Sequence, residues 1–254
     1  MIATTAPIPG QLAHNHSMNM DMHLVATYND GTKGIYSDML QKFAAVLKRR
    51  VKSDLQNVVV VTGRTGSGKS TLAIQLARAV AGPDWDLSAN YIYGAQDFRE
   101  KLRNGDVCRS VSLFDEGVVS FNSLTGNARD DRDMVVLLDV LRSWGMTTII
   151  CIPSFYDLNK RIREHLIDYL VVCPERPLIS GYKSRGFFEV YRPQSMQWSD
   201  KTYWSNLGAG VFKPLDAKTD MEYQAIKLAR QRDQVAKFLN SGKKDDEDEE
   251  EADE

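Results

Sequence analysis

Cysteine is scarce in this chain: Cys108, Cys151 and Cys173 are all it holds, each inside an apolar run and none in a C-x-x-C pair. That scarcity excludes a disulfide scaffold and argues against a structural zinc site. It is the usage expected of reduced core thiols in a cytoplasmic protein. Long hydrophobic runs are missing too. The clean apolar stretches, such as residues 147–152, fall far short of the ~20 residues a membrane-spanning helix requires, so no membrane insertion is expected. The opening residues carry neither a basic leader nor an apolar core of signal-peptide length, and read as a flexible lead-in over residues 1–21. No internal repeat is present.

An excess of charge of one sign is also nearly absent, at a net −2, but the average conceals an asymmetry. Residues 243–254, KKDDEDEEEADE, hold nine acids and two lysines, whereas the other 242 residues carry 30 basic and 25 acidic side chains. A mildly basic body is compatible with a nucleic-acid partner. The acidic tail reads either as a disordered solubilising segment or as a docking element for a protein partner. With 43% hydrophobic and 26% charged residues, the body has the composition of an ordinary globular domain.

What is present is concentrated in VVVVTGRTGSGKST. Gly63, Arg64, Thr65, Gly66, Ser67, Gly68, Lys69 and Ser70 satisfy G-x-x-x-x-G-K-[ST] in full, with Thr71 following. An apolar strand precedes the motif and an amphipathic helix follows it, which is the context the chemistry needs. Glycines let backbone N–H groups turn inward around phosphates, and the helix N-terminus adds positive potential. Lys69 is expected to reach the β- and γ-phosphates of ATP, and the Ser70 hydroxyl to coordinate Mg²⁺.

A second element, SVSLFDEG, is an apolar strand that ends in an acidic pair, 46 residues beyond Lys69. Asp115 is expected to meet Mg²⁺ beside the phosphate loop, and Glu116 to act as the general base toward the attacking water. Between loop and acidic pair the segment NYIYG reads as a further strand. Strands at residues 90–94, 110–114 and 146–153 alternate with helices at 69–82, 95–105 and 133–144, which predicts an α/β fold with a mainly parallel sheet and helices on both faces. Further elements are a strand near residues 23–28, a helix at 37–51 capped by Ser37, and a helix at 155–166. Strands at 168–172 and 186–193 follow, the second a candidate hairpin, and then a long helix from residue 219.

The loop, the extra strand and the acid followed by Glu resemble the additional-strand, catalytic-glutamate class of ATPases, which includes RecA-like motors. The segment from Leu137 to Val172 narrows the resemblance. There an apolar helix ends in Arg142-x-x-Gly145, then come a strand, a helix with an Ile162-Arg163 step and a strand that starts at Asp168. This pattern resembles the FtsK–HerA superfamily and, within it, zonula occludens toxin-like and viral or mobile-element DNA-packaging and coupling ATPases. The resemblance implies an ATP-hydrolysing ring, a hexamer of copies of the chain, that moves DNA in the host cytoplasm or in a virion. It implies Arg142 as a sensor or as an arginine supplied to the neighbouring subunit. Where that family carries a sensor Gln, this chain has Pro153-Ser154, so Ser154 becomes the candidate for a hydrogen bond to the γ-phosphate or to water.

Two other functions stay open at this stage: a nucleoside or nucleotide kinase, and an ATP-dependent switch that recruits protein partners. Arg129, Arg132, Arg161 and Arg163 are further candidates for phosphate or DNA contact, against local pairing with nearby acids. Lys48, Arg49, Arg50 and Lys52 form a basic cluster. The stretch GYKSRGFFEVYR interleaves Lys183, Arg185 and Arg192 with aromatics, a pattern that suits either DNA binding or plain packing. The expected organisation is a strand and helix at 22–56, an ATPase core at 57–175, a hairpin-and-helix extension at 176–242 and a tail at 243–254.

Overall fold

The computed structural model describes residues 24–27, 33–36, 38–92, 95–104, 111–115, 145–158, 160–174, 186–196 and 199–250. Expectations for Glu116, Arg129, Arg132 and Arg142, for the apolar helix of residues 133–144 and for Lys183 and Arg185 lie outside them. The chain forms two units, Met1–Pro214 and Leu215–Glu254.

The first unit begins with an antiparallel pair, β1 (Leu24–Thr27) and β2 (Lys33–Tyr36). Helix α1 (Met39–Lys52) follows and buries Leu40, Phe43, Ala44 and Leu47 along one face. Asp38 takes its N-cap position in place of the expected Ser37 and pairs with Lys42 one turn on. Strand β3 (Asn57–Thr62) is buried at every residue, as a continuous apolar run covered on both faces should be. Helix α2 (Lys69–Ala81) starts where the phosphate loop ends and stops at Gly82, whose φ of 106° an L side chain would resist. Then come α3 (Leu87–Asn90), β4 (Tyr91–Ile92), α4 (Ala95–Asn104), β5 (Val111–Phe114), β6 (Thr147–Ile152) and β7 (Tyr169–Val172). The unit ends with two long strands, β8 (Phe187–Met196) and β9 (Ser199–Val211).

The main sheet runs β4-β5-β6-β3-β7-β8-β9. The pairs from β4 to β7 are parallel, and β7–β8 and β8–β9 are antiparallel. This is an α/β fold with a mainly parallel sheet. The strand inserted between β3 and the acid-bearing β5 is β6, not the NYIYG strand that falls between them in sequence. That strand, β4, pairs on the outer side of β5.

Alternate residues face opposite sides of the sheet. Val58, Val60, Ile150, Ile152 and Leu170 join one core cluster with Phe98 of α4 and with Phe155, Leu158 and Ile162. Helix α2 packs on β3, β5 and β6, contributing Leu72, Ile74 and Leu76 to a second buried layer, and α1 packs against α2.

Two expectations change. The helix expected at 155–166 is broken. A 3-10 turn at Phe155–Asp157 is closed by a reciprocal capping box between Ser154 and Asp157, and Leu158 is extended before a separate π-helical turn at Ile162–Leu166. Strand β9 was not expected, because SDKTYWSNLGAGV shows no clean alternation of apolar and polar residues. The hairpin β8–β9 is continuous with the core sheet, within the unit that ends at Pro214. Pro193 fits inside β8 because that part of the strand extends past β7 and pairs with β9 alone.

The second unit is a helix, α5 (Ala217–Glu250), whose first turn is fixed by Asp216 accepting from the backbone and hydroxyl of Thr219. It includes residues 243–250, which composition assigned to a disordered tail. Lys and Glu form helix readily, and elongation adds one hydrogen bond for each residue fixed.

Candidate nucleotide-binding site

Strand β3 delivers the chain to the sheet's C-terminal edge, where parallel α/β folds bind their ligands. The end of the strand is held on both sides. Cys173 N, just after β7, donates to Thr62 O at 2.7 Å, and Thr62 Oγ1 donates to Pro153 O at 3.4 Å beyond β6. The chain must then turn in a crowded place. A Cβ on Gly63, at φ 151°, would lie 2.4 Å from Cys173 O and 2.9 Å from Ser67 Oγ. At Gly68, φ 91°, it would meet the Phe212 ring at 2.8 Å. Glycine is therefore demanded at both positions by packing as well as by φ.

Between those glycines the loop carries its functional groups. Ser67 N donates to Arg64 O at 3.1 Å, closing a tight turn, and helix α2 begins at Lys69 with its first N–H groups directed back into the loop. Lys69 Nζ donates to Gly63 O at 2.7 Å and Arg64 O at 2.9 Å, which holds the ammonium inside the curve of the loop. Two of its three protons are used in this way and one remains for a further acceptor.

Asp115 closes the site from β5. Its carboxylate is 2% exposed and accepts from Ser70 Oγ at 2.9 Å on one oxygen and from the Tyr91 hydroxyl at 3.1 Å on the other. Cys151, on the intervening β6, shares a hydrogen bond with the same carboxylate. Burial is the main force that lifts the Cys151 thiol well above its ordinary range, and the Asp115 charge adds to it. Burial likewise pushes Cys173 up to about 12, with Lys69 pulling the other way. Both are neutral thiols at physiological pH, inert fillers under the loop and not nucleophiles.

Of the residues expected from sequence, the structure brings Lys69, Ser70 and Asp115 together around Gly63–Gly68. Ser154 leaves β6 at the same edge, but its hydroxyl accepts from Tyr156 N at 3.3 Å and its own N donates to Asp157 at 3.2 Å. As placed, Ser154 builds the 3-10 turn, and its hydroxyl keeps its own proton to donate. Asp168 stands at the opposite edge, at the start of β7, where it binds Arg50 and Val58 N. Arg50 also donates to Asn57 Oδ1 and Gln56 O, so this member of the basic cluster is committed to the fold. Tyr91, Cys151 and Phe212 were not anticipated. The signal available for Tyr91 was its place in a short strand beside the acid-bearing one.

The donor set fits a nucleoside triphosphate with Mg²⁺. Ser67 Oγ is buried without a hydrogen-bond partner among the described residues, an orphan acceptor and donor in the wall of the loop. A hydroxyl and a carboxylate 2.9 Å apart are hard oxygen ligands. Mg²⁺ is commonly held by one or two such groups plus phosphate and water. No cluster of three acidic, His or Cys ligands occurs among the described residues. The strand order, the loop and the acid are those of a P-loop NTPase.

The family model for the Schlafen group 3 DNA/RNA helicase domain matches residues 56–139, less than half of the chain. No curated protein matches. Among solved structures the chain is similar to the AAA domain of FIGL-1, at 14% identity and a TM-score of 0.40 over 54% of this chain and 51% of that one. It thus spans about half the length of that relative. It is also similar to B204, the DNA-packaging ATPase of Sulfolobus turreted icosahedral virus, at 19% identity and a TM-score of 0.37 over 63% of this chain and 98% of that one. The N-terminal domain of zonular occludens toxin from Neisseria meningitidis is matched at 12% identity and a TM-score of 0.37, over 65% of this chain and 96% of that one. Among the described residues, no helix is long and apolar enough to cross a membrane.

Proposed function

We propose that the chain is a Mg²⁺-dependent ATPase that couples hydrolysis to movement of nucleic acid, as a ring-shaped homo-oligomer of the DNA-packaging or DNA-transfer kind. The observation that carries the hydrolytic part is the Ser70–Asp115 hydrogen bond across the top of β6. With β6 between the loop strand and the acid strand, the sheet has the order of hydrolytic P-loop motors, whereas nucleotide kinases set those two strands side by side. The nucleic-acid part is supported by the helicase-domain model, which aligns with the span holding the loop and Asp115. The basic balance of the body outside residues 243–254 supports it as well.

In this reading the loop N–H groups and Lys69 hold the β- and γ-phosphates in line for attack, so catalysis is positioning and charge stabilisation. Bound Mg²⁺ supplies Lewis-acid stabilisation of charge on the phosphate oxygens. Ser70 and Asp115 are the residues that would hold it, and Tyr91 and Cys151 fix the Asp115 carboxylate. Glu116, the next residue after Asp115, takes a proton from the attacking water onto its carboxylate. Arg142 is assigned to charge stabilisation, from the same subunit or from its neighbour in the ring.

The test is phosphate release from ATP with and without DNA, combined with the mass of the assembly under ATP analogue. We expect stimulation by DNA and a mass several times that of one chain. A monomer whose turnover ignores every DNA and RNA offered contradicts the motor. Turnover that requires a nucleoside or nucleotide acceptor would identify a kinase instead. A protein partner retained by Glu116→Gln and lost with residues 243–254 would identify a switch.

A further inference from the structure

Past β6 the chain makes a tight turn that has no part in holding nucleotide, and it presents an aromatic ring to solvent. Tyr156 is 55% exposed, the most exposed aromatic side chain among the described residues. Its backbone is anchored on both sides. The Ser154–Asp157 capping box fixes the turn, and the preceding Phe155 is 8% exposed, locked edge-on against Trp204 at 5.5 Å between centroids. Phe155 also meets the Tyr156 ring nearly at right angles, at 5.8 Å. Arg163, from the π-helical turn, lies with its guanidinium carbon 5.4 Å from the Tyr156 centroid and 6.0 Å from that of Phe155. Its Nη1 donates to Tyr156 O at 3.4 Å.

A mobile surface tyrosine would have to be ordered before it could stack on anything, and that entropy opposes binding. Here the ring is already held, and a cation is already placed at it. The exposed Lys160 stands on the same short segment. Two acids lie on the same segment. Asp157 accepts from Ser154 N, and Glu164 lies 4.0 Å from Lys160 with both side chains exposed, a contact too weak to withdraw the lysine. A fixed aromatic face beside aliphatic-stemmed cations is the arrangement that takes an unpaired base by stacking and its phosphates by charge.

We propose that Tyr156, backed by Arg163, is a stacking platform for an unpaired base of single-stranded nucleic acid, with Lys160 meeting an adjacent phosphate. The proposal rests on the reading above that nucleic acid is the partner, and names where the strand is gripped. Stacking uses the ring and not the hydroxyl, so Tyr156→Phe should bind as wild type does. Duplex ends its bases inside the helix, so the platform serves single strands only.

The experiment is fluorescence anisotropy of the full chain with dye-labelled oligo-dT, the matching oligo-U and a duplex of equal length, across a salt series. Tyr156→Ala is expected to weaken single-strand binding about 10-fold, within the range for loss of one stacked base. It should leave duplex binding and basal ATP turnover unchanged. Lys160→Ala should lower the slope of log affinity against log salt by about 0.7, one phosphate contact on a single strand. If wild type binds and Tyr156→Ala binds equally well, or loses duplex and single strand alike, the platform is wrong and the nucleic-acid reading stands. If wild type binds none of the three, both fall. Normal basal turnover in Tyr156→Ala, together with retained binding in Tyr156→Phe, separates loss of the ring from loss of the fold.

Discussion

The two edges of the parallel sheet each place a carboxylate near β3, buried for Asp115 and about a quarter exposed for Asp168, and they use it in opposite ways. At the C-terminal edge Asp115 is met by hydroxyls from Ser70 and Tyr91 and by the Cys151 thiol. At the N-terminal edge Asp168 is met by the Arg50 guanidinium at 2.5 Å and by Val58 N at 2.9 Å. Arg50 in turn lies over the Tyr169 ring, and Asn57 ties α1 to β6 through Leu47 O and Thr147. A carboxylate bound to a guanidinium has its charge satisfied within the fold and staples α1, β3 and β7 together. The Asp115 carboxylate, bridged to Ser70 beside the phosphate loop, is placed for the cation that would accompany a triphosphate. Similar residues at the two ends of one sheet thus separate chemistry from stability.

Substitutions should break the comparison cleanly, and the largest effect belongs to the C-terminal edge. Lys69→Ala should cut ATP turnover by at least ~10²-fold, the scale for removing one donor aimed at developing charge, while the melting temperature holds. Next is the N-terminal edge. Asp168→Ala strands Arg50 and frees Val58 N. With both ion-pair partners about a fifth to a quarter exposed, the loss should be about 1–3 kcal/mol. Calorimetry should show that as a fall of roughly 3–10 °C, with turnover per folded molecule unchanged.

A smaller effect sharpens the assignment of Asp115. Tyr91→Phe deletes one hydroxyl from the carboxylate, and should raise the Mg²⁺ concentration for half-maximal turnover about fivefold, the worth of one hydrogen bond. The smallest effect shows only in base. Cys173 titrates near 9.0 when unfolded and about 12 in the fold. The folded state therefore keeps its proton longer, and the stability this contributes is intact below pH ~9 and is lost as the pH climbs toward 12. Denaturant melts of Cys173→Ala should match wild type in their pH dependence near neutrality and show a shallower alkaline decline.

The chemistry-bearing edge was the more legible of the two. The loop and Asp115 are local in sequence and each residue type there is dictated by phosphate or metal chemistry, so spacing alone located them. The N-terminal edge was not legible, because Arg50 and Asp168 meet across 118 positions and nothing in either neighbourhood marks the other. Strand order was not legible for the same reason: NYIYG lies between loop and acid in the chain, yet β6 lies between them in space. The broken helix at 155–166 escaped notice since its apolar spacing is helical, while Ser154 and Asp157 close a tighter turn on each other. In GFFEVYR the packing reading prevails for the aromatics, since Phe188 and Tyr191 are 1% and 3% exposed. The exposed ring that does offer itself, Tyr156, sits in a segment where only its charges had drawn attention.

Phosphate release from Mg²⁺-ATP by Asp115→Asn and Asp168→Asn, measured side by side with their melting temperatures, tests the division of labour most directly. Asp115→Asn should lose about 10²-fold in turnover and melt within a few degrees of wild type. Asp168→Asn should melt lower and turn over ATP at the wild-type rate per folded molecule. Full turnover in Asp115→Asn, or its loss in a folded Asp168→Asn, would contradict the account.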